Sequence, residues 1–279
     1  MIWNAKNGTV PVGNTEMSYA SFGSGNKVLV LLPGLSDGLV SVDGKALLLA
    51  APYKMFFKDY TIYMFSRKND LPDSYSIREM ADDQAEAMRK LGIEKAAVLG
   101  VSEGGMIAQY LAIDHGDLVE RLVIAVSAPN ANATVRSAVS SWIELAKQGN
   151  HRQLMIDTAE KSYSEAYLKK YRKVYPVIGW IGKPKNYHRF LVNANAILHF
   201  DSFDDLKKII CPTLIIGGEA DQIVGPAASY EMHEQIAGSE LYMYEKYGHA
   251  AYEEAIDFNR RVFEFLNRKF EFAGGDCSE

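Results

Sequence analysis

Short apolar runs recur along the chain, and segments with helical patterning separate most of them. The runs cover residues 27–34, 61–66, 96–101, 121–128, 212–218 and 241–248. Runs of this length are typical of buried strands, and their alternation with helices predicts a mostly parallel sheet. Residues 15–23 alternate between apolar and polar side chains, which predicts an antiparallel edge strand. The sequence therefore predicts an α/β fold in which helices flank a central sheet.

Two helical segments have clear signals in the sequence. The first begins with the Ser-x-x-Glu capping pattern of Ser76 and Glu79 and stops at Gly92. The last, residues 252–270, places four apolar residues on one face: Phe258, Val262, Phe265 and Leu266. We expect residues 271–279 to form a frayed tail.

A long segment without a good strand interrupts this rhythm. Residues 129–208 contain only helical patterns rich in Tyr, Trp and Asn, which predicts a helical insertion lying over the sheet. The chain then divides into a core, residues 1–128 and 209–279, and an inserted cap, residues 129–208. Four tyrosines recur at every fourth position of the insertion: Tyr163, Tyr167, Tyr171 and Tyr175. Either this stripe packs the insertion onto the core, or some of its rings line a substrate pocket.

The composition argues against several classes of protein. With 279 residues, 48% of them apolar, the chain can bury a large core. Its net charge of −5 and the lack of a basic run argue against a nucleic-acid partner. Cys211 and Cys277 are too far apart in sequence to indicate a disulfide framework or a metal cluster, and Cys211 is most simply a small core residue. Without a leader pattern or a long apolar stretch, we expect a soluble cytoplasmic protein with no membrane span.

Residues 100–104 fit the pattern Gly-x-Ser-x-Gly, with Ser102 at the centre. The pattern alone is weak, but these residues leave a predicted strand and enter a predicted helix, as a nucleophile elbow requires. Such a turn strains the serine backbone and leaves no room for side chains at Gly100 and Gly104. The helix N-terminus also favours the negative charge that develops in acyl transfer. The alternative is that Ser102 only caps the helix.

A serine nucleophile needs a base, and the base needs an orienting acid. Asp221 follows the predicted strand 212–218, and Glu219 is a nearby rival for the acid. His249 follows the last predicted strand and precedes a helix. The other histidines fall in helices or in the insertion: His115, His151, His188, His199 and His233. Serine, acid and histidine each follow a predicted strand in that order, so their side chains should meet at one edge of the sheet.

These motifs resemble the α/β-hydrolase fold family over nearly the whole chain. The resemblance rests on residues 17–35, 74–83, 99–129, 211–224 and 247–254. It implies a catalytic triad of Ser102, Asp221 and His249, and a helical lid inserted after the sixth strand. It further implies an oxyanion hole made by the backbone N–H groups of Leu35 and Glu103. Two departures from the family pattern are the absence of a histidine in residues 33–35 and of a glycine-rich turn in residues 66–70.

The leading functional hypothesis is hydrolysis of a small carboxylic ester through an acyl-enzyme, which needs no metal or organic cofactor. The same triad could serve a lactonase, a perhydrolase, a proline iminopeptidase-like peptidase or a carbon–carbon bond hydrolase. Acidic residues that could hold a peptide amine are Glu160, Glu165, Asp201, Asp204 and Asp205, and polar residues that could assist carbon–carbon cleavage are Asn193, Asn195 and His199. A non-enzymatic ligand receptor or adaptor on the same fold is a further hypothesis.

Two questions stay open at this level. The Glu103 side chain either interacts favourably with the helix N-terminus or lines the pocket, where it would disfavour anionic acyl groups. The sequence also leaves open whether the chain forms a homo-oligomer.

Overall fold

A single twisted sheet organises the computed structural model, which describes residues 2–269. Its strands are β1 (Lys6–Val12), β2 (Thr15–Gly23), β3 (Lys27–Leu32), β4 (Tyr60–Lys68), β5 (Ala96–Val101), β6 (Val119–Ala125), β7 (Thr213–Gly218) and β8 (Glu240–Tyr244). The order across the sheet is β1-β2-β4-β3-β5-β6-β7-β8. β3 to β8 are parallel, whereas β2 pairs antiparallel with both β1 and β4. The predicted tail and Cys277 lie outside the described residues.

The prediction of an edge strand at residues 15–23 is wrong in its position. β2 is internal, and β1 forms the edge beside it. β1 contains Gly8 and Pro11, which weaken a strand signal, but an edge strand tolerates proline because its outer N–H groups need no ladder partner. The ring of Tyr19 occupies the space where a side chain at residue 8 would stand.

Helices cover both faces of the sheet. They are α1 (Ala46–Ala50), α2 (Ile77–Lys90), α3 (Glu103–Asp114), α4 (Ala133–Lys147), α5 (His151–Ser162), α6 (Glu165–Tyr171), α7 (Tyr175–Ile178), α8 (His188–Leu198), α9 (Ala227–Gln235), α10 (Ala251–Glu254) and α11 (Phe258–Asn267). Alternate strand residues point to opposite faces: Val30 belongs to the buried cluster that includes residues of α2, α3 and α9, and Leu31 belongs to the cluster that includes residues of α1 and α11. None of these helices, within residues 2–269, is long and apolar enough to cross a membrane.

The sequence signals for helix ends agree with the structure in one case and differ in another. The capping box at Ser76 and Glu79 is present at the start of α2. The last helical segment breaks into α10 and α11, because residues 255–257 leave the helix. α11 nevertheless buries all four apolar residues predicted for its inner face.

Five helices, α4 to α8, lie between β6 and β7. In this part of the described chain the only extended pairing outside the sheet is a bridge between Asn130 and Asp201. α4 and α8 contribute buried residues to the same apolar cluster as the central strands. Cys211, at the return to the sheet, is half-buried and packs against this cluster.

Candidate active site

Ser102 stands on a sharp turn between β5 and α3. Its backbone has φ 57° and ψ −121°, a conformation that L side chains rarely adopt. A Cβ on Gly100 would lie 2.3 Å from the Gly104 carbonyl oxygen, and a Cβ on Gly104 would lie 1.9 Å from the Leu32 carbonyl oxygen. Only glycine fits at either position. The Ser102 side chain makes no capping hydrogen bond to the described residues of α3, so the capping interpretation does not account for it.

The Ser102 hydroxyl belongs to a chain of hydrogen bonds. The Ser102 Oγ lies 2.9 Å from His249 Nε2, and His249 Nδ1 lies 2.8 Å from Asp221 Oδ2. Asp221 Oδ1 accepts hydrogen bonds from the backbone N–H groups of Ile223 and Val224, at 2.8 and 2.9 Å. Burial alone would raise the pKa of Asp221, but the adjacent imidazole and these hydrogen bonds hold it below its ordinary value. The arrangement can orient the imidazole and draw the proton from the serine.

All three side chains lie at the carboxyl edge of the parallel strands, as expected where such sheets build their sites. Asp221 follows β7, and His249 lies between β8 and α10. Glu219, the rival acid, accepts a hydrogen bond from Tyr230 instead. The other histidines have partners elsewhere: His115 with Asp82, His151 with Ile181, His188 with Leu71, His199 with Asn195, and His233 with Ser239.

The loop after β3 lies directly against Ser102. A Cβ on Gly34 would stand 3.2 Å from the Ser102 Cβ and 3.7 Å from its Oγ. The loop at Gly34 therefore lies beside the serine, and Glu103 follows the serine directly in the chain as the first residue of α3.

The Glu103 side chain forms a buried ion pair that neither sequence interpretation anticipated. Its Oε2 lies 2.8 Å from Arg67 Nη2, and both side chains are 0% exposed. The same Arg67 nitrogen donates to the Pro33 carbonyl oxygen at 2.7 Å, which ties the pair to the loop against Ser102. Burial raises the pKa of Glu103, although Arg67 opposes the shift.

A second ion pair, between the buried Asp37 and the partly exposed Arg189, extends this network to α8. Asp37 Oδ2 accepts hydrogen bonds from Arg189 Nη2 at 2.8 Å and from the Arg67 backbone at 3.0 Å, and Asp37 Oδ1 accepts one from Ser66 at 2.6 Å. Arg189 also donates to the Lys68 carbonyl oxygen at 2.6 Å. Burial would raise the pKa of Asp37, but Arg189 and Arg67 hold it below its ordinary value. The sequence did not predict this network, and residues 66–70 stood out only as a departure from the family pattern.

Two cavities adjoin the site. The tyrosine cavity, about 390 Å³, is lined by His249, by Glu253 and by residues of the segment from α5 to α7. This lining includes Tyr163, between α5 and α6, together with Tyr167, Tyr171 and Tyr175. This agrees with the interpretation that the tyrosine stripe lines a pocket. The loop cavity, about 290 Å³, is lined by Pro33, Ser36 and mainly apolar side chains. The two cavities share three residues: Ser36, Met155 and Ile181.

The side chains suggested for other reactions are not among the lining residues of these two cavities, although Glu160 accepts a hydrogen bond from Tyr175 at 3.0 Å. Glu160 and Glu165 both pair with Arg172. Asp205 pairs with Arg78 and Lys208, and the Asp201 carboxylate accepts from Phe203. Asn195 and His199 border a separate surface cavity beside α2, and Asn193 is fully buried. Within residues 2–269, no three His, Cys, Asp or Glu side chains are grouped to hold a metal ion.

Comparison with known proteins agrees with the fold. The family model described as alpha/beta hydrolase fold matches residues 27–256. The chain belongs to the α/β hydrolase fold family, and it is a hydrolase.

Three similar proteins illustrate the range of this family. The serine hydrolase BPHL of Mus musculus is 27% identical over 276 residues, 92% of this chain and 85% of that protein. A 2-hydroxy-6-oxononadienedioate/2-hydroxy-6-oxononatrienedioate hydrolase of Pseudomonas sp is 26% identical and covers 91% and 93% of the two chains. The crystal structure of MGS-M2, an alpha/beta hydrolase from a deep-sea metagenome library of the Medee basin, superposes with a TM-score of 0.85. It is 21% identical and covers 95% of this chain and 100% of its own.

Proposed function

We propose that the protein is a serine hydrolase that cleaves small carboxylic esters through an acyl-enzyme. The single observation that carries this proposal is the continuous hydrogen-bonded chain from Asp221 through His249 to Ser102. The strained turn at Ser102 supports it, because such strain is retained where it holds a reacting group in place. Ser102, His249 and Asp221 are the proposed nucleophile, base and orienting acid.

Acylation begins with attack of the Ser102 oxygen on the ester carbonyl carbon. His249 Nε2 takes the serine proton and passes it to the leaving oxygen as the carbon–oxygen bond of the ester breaks. In deacylation, water gives a proton to His249 and adds to the acyl carbon, and Ser102 leaves with that proton. Asp221 holds the imidazole in the tautomer that both steps need.

The proposed oxyanion donors are the backbone N–H groups of Leu35 and Glu103. Each such donor contributes about 3 kcal/mol to stabilising the tetrahedral intermediate. The contact between Gly34 and Ser102 supports the first donor, and the position of Glu103 at the start of α3 supports the second. Arg67 binds both the Glu103 side chain and the Pro33 carbonyl oxygen, so this contact would hold the two donors at fixed positions relative to each other.

We further propose that residues 129–208 act as a cap and that residues 1–128 and 209–279 form the catalytic core. The tyrosine cavity supports this division, because its lining combines residues of α5, α6 and α7 with His249 of the core. The substrate would bind between the two parts.

The same triad could serve carbon–carbon bond hydrolysis, the reaction class of the Pseudomonas relative. Asn195 and His199, the polar residues suggested for carbon–carbon cleavage, border a different cavity from the one that His249 lines. Ester hydrolysis is therefore favoured.

A fluorophosphonate probe tests the proposal without knowledge of the natural substrate. The wild-type protein should gain one probe per chain by intact mass and should hydrolyse p-nitrophenyl esters. The variants Ser102→Ala and His249→Ala should lose both activities, because the nucleophile or its base is missing. Ser140→Ala, on the exposed face of α4, is the matched control and should behave as the wild type. A folded wild-type protein that takes up no probe would contradict the proposal and favour a receptor.

A further inference from the structure

One wall of the tyrosine cavity is an ordered stack of tyrosine rings, called the tyrosine wall below. The rings of Tyr163 and Tyr167 are stacked with centroids 4.4 Å apart and planes within 8°, and those of Tyr167 and Tyr171 with centroids 4.1 Å apart and planes within 14°. Backbone contacts fix the start of this wall beside the proposed base. Ala250, next to His249, donates its N–H to the Ser162 carbonyl at 2.9 Å.

The polar groups of the cavity favour uncharged or cationic ligands over anions. The Tyr163 hydroxyl donates to Glu253 Oε2, and burial together with Glu253 raises the pKa of that phenol. Glu253 is the carboxylate among the lining side chains, and no Arg or Lys is found among the described residues that line this cavity. Glu253 is exposed, so solvent screens part of its charge, but a carboxylate brought into the cavity would meet this like charge with no cation in the lining to compensate it.

The chemistry of the proposed reaction decides which part of a substrate enters this cavity. The leaving oxygen must lie within hydrogen-bond reach of His249 Nε2 to receive its proton. The group attached to that oxygen therefore continues into the cavity that His249 lines. The loop cavity is lined by Pro33 and Ser36, which flank Leu35, the proposed oxyanion donor, and its other lining side chains are mainly apolar.

We infer that the tyrosine cavity binds the leaving group and the loop cavity the acyl group, so that the preferred substrates are aliphatic esters of uncharged aromatic alcohols. This inference rests on the proposed ester hydrolysis. Because the faces of the Tyr167 ring are covered by Tyr163 and Tyr171, this ring offers its edge to the alcohol, and an edge-to-face contact with an aromatic alcohol is stronger than apolar burial alone. The acyl group, once transferred to Ser102, no longer touches the tyrosine wall.

Two series of esters separate the two cavities. In the first, the acyl group is butyryl and the alcohol is methyl, cyclohexylmethyl, benzyl or para-carboxybenzyl. In the second, the alcohol is benzyl and the acyl group varies from acetyl to hexanoyl. The variant is Tyr167→Ala, and the control is Tyr230→Ala, an exposed tyrosine on α9 outside both cavities.

Tyr167→Ala should lower kcat/KM for benzyl butyrate about tenfold and that for methyl butyrate less than twofold, as expected for the loss of about one aromatic contact. The hydrolysis rate of the butyryl-enzyme and the order of preference in the acyl series should not change. Glu253→Gln keeps an acceptor for Tyr163 and should raise kcat/KM for para-carboxybenzyl butyrate relative to benzyl butyrate.

The outcomes distinguish the inference from the function on which it rests. If Tyr167→Ala changes acyl preference or slows methyl and benzyl esters equally, the assignment of the cavities is wrong while ester hydrolysis stands. If Tyr167→Ala does not fold, an unchanged ratio in Glu253→Gln refutes the leaving-group site. If no ester is turned over and the fluorophosphonate does not label Ser102, the proposed function itself fails.

Discussion

Removal of Arg67 should expose how strongly the buried ion pair contributes to the fold. In Arg67→Met, the carboxylate of Glu103 stays 0% exposed but loses its cation. Two unit charges about 4 Å apart interact by about 4 kcal/mol at an effective dielectric constant of about 20. Removing one partner of a buried pair costs about 3–5 kcal/mol in unfolding free energy. We expect a loss in that range at neutral pH.

The loss should depend on pH in a defined direction. Burial already raises the pKa of Glu103 above its unfolded value of 4.5, and removal of Arg67 raises it further. A raised folded-state pKa gives stability that is present below the unfolded pKa and lost as pH rises through the folded pKa. The deficit of Arg67→Met should therefore be smaller at about pH 5 than at about pH 8.

The assay is urea unfolding at both pH values, followed by tryptophan fluorescence. Arg89→Met is the matched control, because the Arg89–Asp117 pair is exposed and should contribute less than about 1 kcal/mol. The double variant Arg67→Met/Glu103→Leu removes both charges and should regain most of the lost stability. Any of three results would refute the reasoning. Arg67→Met and Arg89→Met could lose equal unfolding free energy, the loss in Arg67→Met could be independent of pH, or the double variant could be no more stable than Arg67→Met.

Three further predictions concern the turn at the nucleophile, the acid network and the proposed triad. Gly104→Ala should fail to fold or lose fluorophosphonate labelling, because its Cβ would lie 1.9 Å from the Leu32 carbonyl oxygen. The control Gly116→Ala places its Cβ in open space and should keep the melting temperature and labelling of the wild type. The lowered folded-state pKa of Asp37 gives stability that is lost as pH falls, so the wild type should lose stability below about pH 5. In Asp37→Asn, urea titrations should show a smaller dependence of the unfolding free energy on pH, by up to about 1.4 kcal/mol per pH unit. An unchanged slope would contradict this prediction. Asp221→Asn should lower kcat on p-nitrophenyl esters about 10³–10⁴-fold with little change in KM, and a loss under tenfold would speak against its role.

The parallel sheet could be predicted because its strands are buried on both faces and leave continuous apolar runs. β1 could not, since Gly8 and Pro11 belong to an edge strand whose stability comes from pairing with β2. The periodic tyrosines predicted one helix face, but α5 ends at Ser162 and a new helix begins at Glu165. Tyr163 and Tyr167 stack across this break all the same.

The meeting of Ser102, Asp221 and His249 followed from strand order alone, since parallel strands bring their carboxyl ends together. No pattern in the sequence predicted the network of Asp37, Arg67 and Arg189. Its members are far apart in sequence, and a charged residue at the end of a strand is ordinarily solvated. Only the folded chain reveals that Arg67 is 0% exposed.

The contact of Arg189, on α8, with the carboxyl edge of the sheet has a consequence for engineering. Its guanidinium binds the Asp37 carboxylate and the backbone of residues 67 and 68, so the segment between β6 and β7 is not a freely exchangeable module. A chimera that imports this segment from a relative without an arginine at the corresponding place leaves Asp37 buried with half of its cationic partners. A transplant should therefore keep an arginine at residue 189 or replace Asp37 as well, so that no buried carboxylate loses this partner.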